Sequence, residues 1–343
     1  MKTKLLYFGP QWAGSTSLQR LQAFQHLNDV SAIGVDNGAQ VTRMSSLWHR
    51  ARWRLRVPVD SLGENASLIA AAATHRPDIV LVDNSKVIRR NTLYALRQLG
   101  VSRIVYYSPD DIAARHSLSL PLKWSLPDWD IVCTTKTFNV PELAALGARK
   151  VLLVGKAYDP ALHRPLDAAS VGSDYEQFDA VFVGAYERER CASINILSEA
   201  GVSVVLYGAD EGRWCREQLH PRIELRKSVF AADYVAAWHA GKVALCFLRK
   251  INRDRITQRT MEIAAIGRAM VAERTHEHDQ HFEHGSEYLG FSSDLELLQQ
   301  VRLLLDNNIR RLAIAEACRR RCLRSDYSTQ DRARQMIAAF LAT

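Results

Sequence analysis

Short apolar runs alternate with helical stretches along most of the sequence. Residues 77–83 include the continuous apolar run 79–82, which is typical of a parallel strand whose sheet is covered on both faces. A similar run at residues 4–8 ends in a glycine-bearing loop and is followed by a helical stretch at 18–27. This order of strand, loop and helix recurs to the end of the chain and predicts doubly wound α/β folding.

The length of the chain indicates two domains of this kind. At 343 residues it is too long for one ordinary domain and long enough for two. One series of strands and helices ends near residue 154, and a second begins at residue 178, after a polar stretch at 166–176. We therefore predict one domain over 1–165 and another over 176–327.

Composition bounds the class of protein. The 47% hydrophobic and 24% charged content is typical of a globular protein in water. No apolar run approaches the roughly 18–20 residues that span a bilayer, and the first run is too short for a signal peptide. We therefore expect a cytoplasmic protein.

The six cysteines show neither zinc-site spacing nor a disulfide framework, which predicts reduced thiols. The net charge of +8 fits an anionic partner, which a nucleotide sugar, a phospholipid surface or a nucleic acid would each provide.

The stretch 252–293 combines a charged loop with the start of a helix. The loop occupies 252–255, a short apolar helix is predicted over 261–266, Gly267 ends it, and a buried strand follows at 269–272. Backbone N–H groups and the dipole at a helix N-terminus favour an anion such as a phosphate. Glu262 is predicted in the first turn of this helix, beside the same place.

Three runs in this part of the chain carry a family resemblance. They are Arg-x-x-Glu-Ile-x-Ala-x-Gly at 259–267, Ala-Glu-Arg-Thr-x-Glu-His at 272–278 and Phe-Ser-Ser-Asp-x-Glu-Leu at 291–297. In these three runs the chain resembles the CgeB-like glycosyltransferases. The resemblance is specific over about 178–327 and looser over the N-terminal half. The resemblance implies a GT-B fold, in which two doubly wound Rossmann-like domains face a central cleft. It also implies that the C-terminal helix, 328–343, packs back on the first domain.

The resemblance assigns the donor site to the second domain. The wider group carries a Glu-x7-Glu motif whose second Glu holds the donor ribose and whose first holds the sugar. Glu262 matches the second position, and Asp254, one methylene shorter, stands at the first. Arg259 and either Arg188 or Arg190 would hold the diphosphate, although ion pairing on the helix surface also explains the last two. The predicted donor-binding residues are Gly184, Arg188, Arg190, Tyr207, Gly208, Lys250, Asp254, Thr257, Arg259 and Glu262.

The first domain offers a candidate base and a candidate loop. Asp110 and Asp111 follow a predicted strand, where ligands of open α/β sheets bind, and neighbouring carboxylates raise the pKa of one of them to a value suited to a general base. Capping of the next helix is the competing interpretation. The resemblance places Gly14, Ser15 and Thr16 on the cleft, while a plain helix cap explains Ser15 equally well.

Residues 47–56 interleave four arginines and a histidine with two tryptophans. If the segment is helical, Trp48 and Arg52 are neighbours on one face, as are His49 and Trp53. Contact of Trp48, Arg52 and Trp53 with an anionic membrane or with a phosphorylated or lipid-linked acceptor is one interpretation. A surface helix whose tryptophans pack into the core is another, and contact with a nucleic acid is a third.

Four histidines between 276 and 284 lack the His-Glu-x-x-His spacing of a zinc site. The resemblance implies basic groups rather than a metal at the diphosphate, so we expect neither a metal nor another cofactor.

The resemblance implies a hexosyltransferase-like enzyme that moves a sugar from a nucleotide-diphosphate sugar to a hydroxyl acceptor. A glycan, a lipid-linked or a protein acceptor would suit bacterial polysaccharide, glycolipid or glycoprotein assembly. Its expected location is the cytoplasm or the inner face of the membrane. A non-catalytic nucleotide-sugar- or carbohydrate-binding protein of the same fold is the main alternative. A nucleic-acid-binding α/β protein is the second alternative, although the expected partners include no nucleic acid.

Overall fold

The computed structural model describes residues 2–38, 47–208, 214 and 218–342. The chain divides into two compact units, Met1–Gly155 with Thr329–Thr343, and Lys156–Ser328. Among the described residues, each unit contains a six-stranded parallel sheet with apolar clusters on both faces. The predicted α/β class and doubly wound organisation are confirmed. Residues 156–165, which the sequence placed in the first domain, belong to the second unit.

The sheet of the first unit has the order β2-β1-β3-β4-β5-β6. Its strands are β1 Thr3–Gly9, β2 Val30–Asp36, β3 Ile79–Asp83, β4 Arg103–Ser108, β5 Ile131–Thr134 and β6 Val151–Leu153. Its helices up to residue 155 are α1 Thr16–Gln25, α2 Leu47–Arg54, α3 Glu64–His75, α4 Arg90–Gln98, α5 Leu120–Ser125 and α6 Asn139–Ala145. Every residue of β3 is buried, as its continuous apolar run predicts.

The sheet of the second unit has the order β12-β11-β10-β7-β8-β9. Its strands are β7 Phe178–Val183, β8 Val204–Tyr207, β9 Ile223–Arg226, β10 Gly241–Cys246, β11 Ala269–Glu273 and β12 Leu289–Phe291. Its helices are α7 Ala168–Val171, α8 Arg188–Glu199, α9 Ala231–Trp238, α10 Gln258–Ile266, α11 His276–His281, α12 Asp294–Asp306 and α13 Asn308–Arg324. Successive residues of β7 enter opposite cores, with Val181 beside Trp238 and Phe182 beside Ile194.

The last helix, α14 Thr329–Leu341, belongs to the first unit. Its apolar side chains Met336 and Phe340 are buried in the same cluster as Tyr7 and Phe24. Burial of this face attaches the C-terminal segment to the sheet that begins the chain.

Strand order locates the crevice of each sheet. The chain leaves β1 toward β2 on one side and then crosses to β3 on the other, so the direction reverses between β1 and β3. In the second unit the reversal falls between β7 and β10. Ligands of open α/β sheets bind beyond the carboxyl ends of the strands at such reversals. Across the described ranges, none of the helices is long and apolar enough to cross a membrane.

Candidate active-site residues

Helix α10 carries Glu262, but in its second turn. The helix begins at Gln258, three residues before the predicted start at Met261. Its first turn is polar, and the backbone N–H of Thr257 donates to Thr260 Oγ1 at 3.4 Å. Because apolar periodicity starts only at Met261, the sequence pattern missed this turn, and the first-turn placement of Glu262 was wrong.

The Glu262 carboxylate is buried and held by two neighbours. The Tyr234 hydroxyl on α9 donates to Oε2, and His163 Nε2 lies 3.9 Å from Oε1. His163 Nδ1 accepts the backbone N–H of Asp159 at 2.9 Å, so the neutral ring carries its proton on Nε2, facing Glu262. Burial, followed by the Glu262 charge, raises the pKa of Tyr234 well above its ordinary value, which keeps the phenol a donor.

A second buried group fixes the start of α10. His278 Nε2 and Thr260 Oγ1 are hydrogen-bonded at 2.9 Å, and Cys246 Sγ lies 3.5 Å from Thr257 Oγ1. Burial lowers the pKa of His278 to about 4, so the ring is neutral at physiological pH. Thr257 and His278 are therefore interior residues that hold the start of the helix that carries Glu262.

Two arginines lie against one aromatic ring at the reversal between β7 and β10. The guanidinium carbons of Arg190 and Arg259 are 4.8 and 5.6 Å from the centre of the Phe182 ring. Burial, and then the nearby Arg259 charge, lowers the pKa of Arg190 to about 10. Its Nη1 donates to the Ala185 carbonyl and its Nη2 to the Leu248 carbonyl at 3.2 Å. The pair therefore concentrates positive charge where an anion would be stabilised.

Glycines bring the backbone close to these arginines. A Cβ on Gly184 would lie 2.7 Å from Arg259 Nη1, and a Cβ on Gly208 would lie 2.5 Å from the Gly184 carbonyl oxygen. Tyr207, one residue before Gly208, accepts a hydrogen bond from Arg226 Nη1 at 3.0 Å. These residues pack next to the arginine pair.

The other predicted donor-site residues have varied surroundings. Asp254 is half-buried, and its Oδ1 accepts from Asn252 Nδ2 at 3.0 Å. Lys250 is ion-paired with Glu273, and Arg188 is exposed at the first position of α8. The structure thus brings Gly184, Arg190 and Arg259 together and leaves Arg188 at the surface.

A cavity of about 500 Å³ opens beside Arg190. Its lining includes Arg190, Phe247, Lys250, Glu273 and Asp294. This size lies within the range of small-molecule sites in proteins. Glu262 does not line this cavity and lies among the α9 and α10 residues.

In the first unit, the two neighbouring aspartates differ in environment. Asp111 is fully buried, and its Oδ1 accepts from Asn139 Nδ2 at 2.9 Å and from the Ala114 backbone N–H at 3.1 Å. Asp110 is half-buried, with Oδ2 at 3.4 Å from Asn84 Nδ2. The capping interpretation therefore describes Asp111, which caps a turn, and Asp110 is the better placed to meet a ligand.

The loop after β1 leads into α1. Ser15 Oγ accepts the Leu18 backbone N–H at 3.1 Å, so Ser15 is the N-cap of the helix that begins at Thr16. Gly14, just before it, has a φ of +92°, which favours glycine. Below this loop Arg20 and Asp83 form a buried ion pair of 2.7 Å.

The tryptophans of α2 are exposed. Trp48 is 64% exposed and Trp53 36%, so the interpretation that places them in the core was wrong. The Arg52 guanidinium lies 5.5 Å from the Trp48 ring centre. Helix α2 thus presents aromatic and basic side chains to the surroundings.

Comparison with known proteins shows the fold and a family match over part of the chain. Residues 188–338 match the family model described as Glycosyl transferase-like. The whole chain matches HepE from Anabaena, solved with UDP and glucose, with a TM-score of 0.68 at 13% identity over 99% of this chain and 100% of that one. The chain has the GT-B fold. Sucrose-phosphate synthase from Thermosynechococcus elongatus has a TM-score of 0.66 at 12% identity, over 99% of this chain and 98% of that one. No curated protein matches the sequence.

Sequence reasoning missed the groups beside Glu262. His163 lies in the segment 156–165 that the sequence placed in the first domain, and Tyr234 lies in a part of the chain to which the sequence assigned no role. Neither occurs in a motif, and only tertiary packing brings them to Glu262. Glu273 does stand in a quoted run, but nothing in that run shows that its side chain accepts the Leu248 N–H at 3.0 Å.

Proposed function

We propose that this protein is a glycosyltransferase that binds a nucleoside-diphosphate sugar on its second unit and transfers the sugar to a hydroxyl acceptor. The observation that carries the proposal is the buried Glu262 carboxylate, oriented by Tyr234 and His163. HepE was solved with UDP-glucose, and MnaA of S. aureus with UDP. They support a uridine nucleotide as the first donor to test. The three motif runs support a place among the CgeB-like members.

Glu262 is the proposed ribose ligand. A carboxylate accepts hydrogen bonds from the two neighbouring hydroxyls of a ribose, and charged acceptors make the stronger bonds. Tyr234 and His163 fix the orientation of Glu262, which lowers the entropy lost on binding. Both are positioning residues in this scheme, since they act through Glu262. Asp254, in the loop before α10, is the proposed ligand of the donor sugar.

Arg259 and Arg190 are proposed to stabilise the diphosphate. Their like charges lie close together, and a diphosphate would relieve that repulsion. The same charges would stabilise the diphosphate as it leaves with the bonding electrons of the glycosidic carbon. This scheme assigns the counter-charge to arginines and uses no metal or other cofactor.

Asp110 is proposed as the base that accepts the proton of the acceptor hydroxyl in an inverting reaction. It stands beyond the carboxyl end of β4, and Asn84 at 3.4 Å orients one of its oxygens. The acceptor class proposed is a glycan, a lipid-linked sugar or a protein side chain.

Donor binding tests the proposal directly. Calorimetry and thermal shift with UDP, GDP, dTDP, CMP and their sugar conjugates should show stabilisation by one nucleotide family, because a ligand of the native state raises its stability. Glu262→Gln keeps an acceptor for Tyr234 but removes the charge, and it should lose most of this shift. Glu316→Gln, an exposed position on α13, is the matched control. No shift with any nucleotide, or an unchanged shift in Glu262→Gln, would contradict the proposal.

A further inference from the structure

We propose that α2 and the segment 115–124 form a binding surface for anionic lipid bilayers, called here the α2 surface. Leu55, just after α2, is 70% exposed, and Trp48 on the helix is 64% exposed. Arg50 and Arg54 are exposed between them. Large apolar side chains at this level of exposure, interleaved with cations, are unusual on a surface that meets only water.

The shape of the α2 surface is fixed by its backbone. Arg56 has a φ of +63°, and its N–H bonds the Trp53 carbonyl while the Val57 N–H bonds the Arg52 carbonyl at 2.9 Å. These two bonds form a Schellman motif, in which glycine is the usual residue at the position of Arg56. An arginine held in this conformation turns the chain sharply after Leu55 and keeps that side chain outward.

The turn is also tied to the neighbouring segment. Arg56 Nε donates to the Leu118 carbonyl at 2.8 Å, and the Leu120 N–H donates to the Arg56 carbonyl at 2.7 Å. This attachment brings the exposed Arg115, His116, Lys123 and Trp124 to the same region of the first unit. Trp124 is 58% exposed. The α2 surface thus extends beyond one helix and includes a third outward tryptophan.

The charge on the α2 surface is of one sign. Residues 47–57 contain no acidic side chain, and the next one along the chain, Asp60, accepts the backbone N–H groups of Glu64 and Asn65 at 2.7 and 3.1 Å. Lys86 Nζ lies 5.3 Å from the Trp53 ring centre and adds another cation. The complementary partner is therefore anionic.

A lipid bilayer fits this surface better than a nucleic acid. Indoles settle at the level of the headgroups, where their ring is in an apolar medium and their N–H is in water. Basic side chains beside them are attracted to anionic headgroups. The outward Leu55 gains from burial among acyl chains, whereas a phosphate backbone offers it no apolar medium. The surface has the composition of a peripheral membrane anchor.

Vesicle sedimentation with the full chain tests this inference without any nucleotide. Vesicles of phosphatidylcholine with 30% phosphatidylglycerol should bind the protein, pure phosphatidylcholine should bind it weakly, and added salt should reduce binding. Arg50→Glu with Arg54→Glu should lower the partition constant at least about twentyfold, since each basic side chain near such a surface contributes roughly fivefold. Trp48→Ala should weaken binding at high salt as well, because its contribution is apolar.

A matched pair controls for net charge. Arg320→Glu with Arg324→Glu changes two exposed arginines at the same four-residue spacing on α13, in the other unit, and should leave binding unchanged. Thermal unfolding midpoints establish that all variants fold. The inference is overturned by equal loss in both pairs, by no binding to anionic vesicles, or by Arg50- and Arg54-dependent binding to an oligonucleotide and not to vesicles. Because no nucleotide is present, these outcomes are independent of the proposed donor site.

Discussion

The Tyr234 hydroxyl donates a hydrogen bond to Glu262 Oε2, linking α9 to α10 in the second unit. Both residues contribute to one buried polar group, and His163 completes it at 3.9 Å. A carboxylate fixed in this way presents a defined acceptor to a ligand. Its neighbours should therefore influence donor affinity although neither is proposed to touch the donor.

Tyr234→Phe tests this positioning role. The substitution removes the hydroxyl and leaves Glu262 Oε2 without that donor, at a cost of roughly 1–3 kcal/mol for a buried charged acceptor. We expect a donor affinity lower by about tenfold in calorimetry, with a fold that survives by circular dichroism. Tyr94→Phe, at a tyrosine that is 73% exposed in the first unit, is the control and should change nothing. Equal affinities in the two variants would refute the role.

Gly208→Ala tests the close backbone approach behind the arginines. An added Cβ would lie 2.5 Å from the Gly184 carbonyl oxygen, a backbone atom that cannot move without displacing Gly184 itself. Overpacking of this kind costs roughly 1–3 kcal/mol, so the unfolding midpoint in urea should fall clearly. Gly172→Ala also has a positive φ, of +76°, but its Cβ meets no atom within 4 Å. The smaller loss of stability in Gly172→Ala measures the strain of the backbone alone. A fall in its unfolding midpoint as large as that of Gly208→Ala would contradict the steric explanation.

His278 makes stability depend on pH. Its folded pKa of about 4 is below the ordinary 6.5, so the unfolded chain binds the proton first as pH falls. The stabilisation is therefore complete above pH 6.5 and declines by about 3 kcal/mol as pH falls from 6.5 to 4. Chemical denaturation across this range measures it. His278→Gln should be less stable at neutral pH but should show a shallower dependence, and an unchanged slope would argue that other groups cause it.

Much of the fold could be predicted from sequence because a buried strand has a recognisable local sequence pattern. The continuous apolar run at 79–82 indicates a doubly covered parallel strand, and β3 is indeed buried throughout. Glu262 was predicted as a site residue from a motif that is contiguous in sequence, and that role stays a prediction. Tyr234 and His163 could not be found, because they meet Glu262 from segments 28 and 99 positions away and carry no pattern of their own. Likewise, the sequence could not decide whether Trp48 faces the core, since a helix with tryptophans and arginines on every side has no single apolar face.

Asp110 and Asp111 offer a comparison between two adjacent carboxylates. Asp111 is fully buried and accepts from Asn139 and Ala114, so Asp111→Ala leaves buried donors without an acceptor and should cost about 1–3 kcal/mol of stability. Asp110 is half-buried and proposed as the base, so Asp110→Asn should keep its unfolding midpoint and lose at least about a hundredfold in kcat. Donor affinity, measured in the same variants, should be unchanged in Asp110→Asn, because the proposed donor ligands are on the second unit. If Asp110→Asn transfers sugar at the normal rate once an acceptor is known, the base is elsewhere; if it instead unfolds like Asp111→Ala, the two aspartates share a structural role.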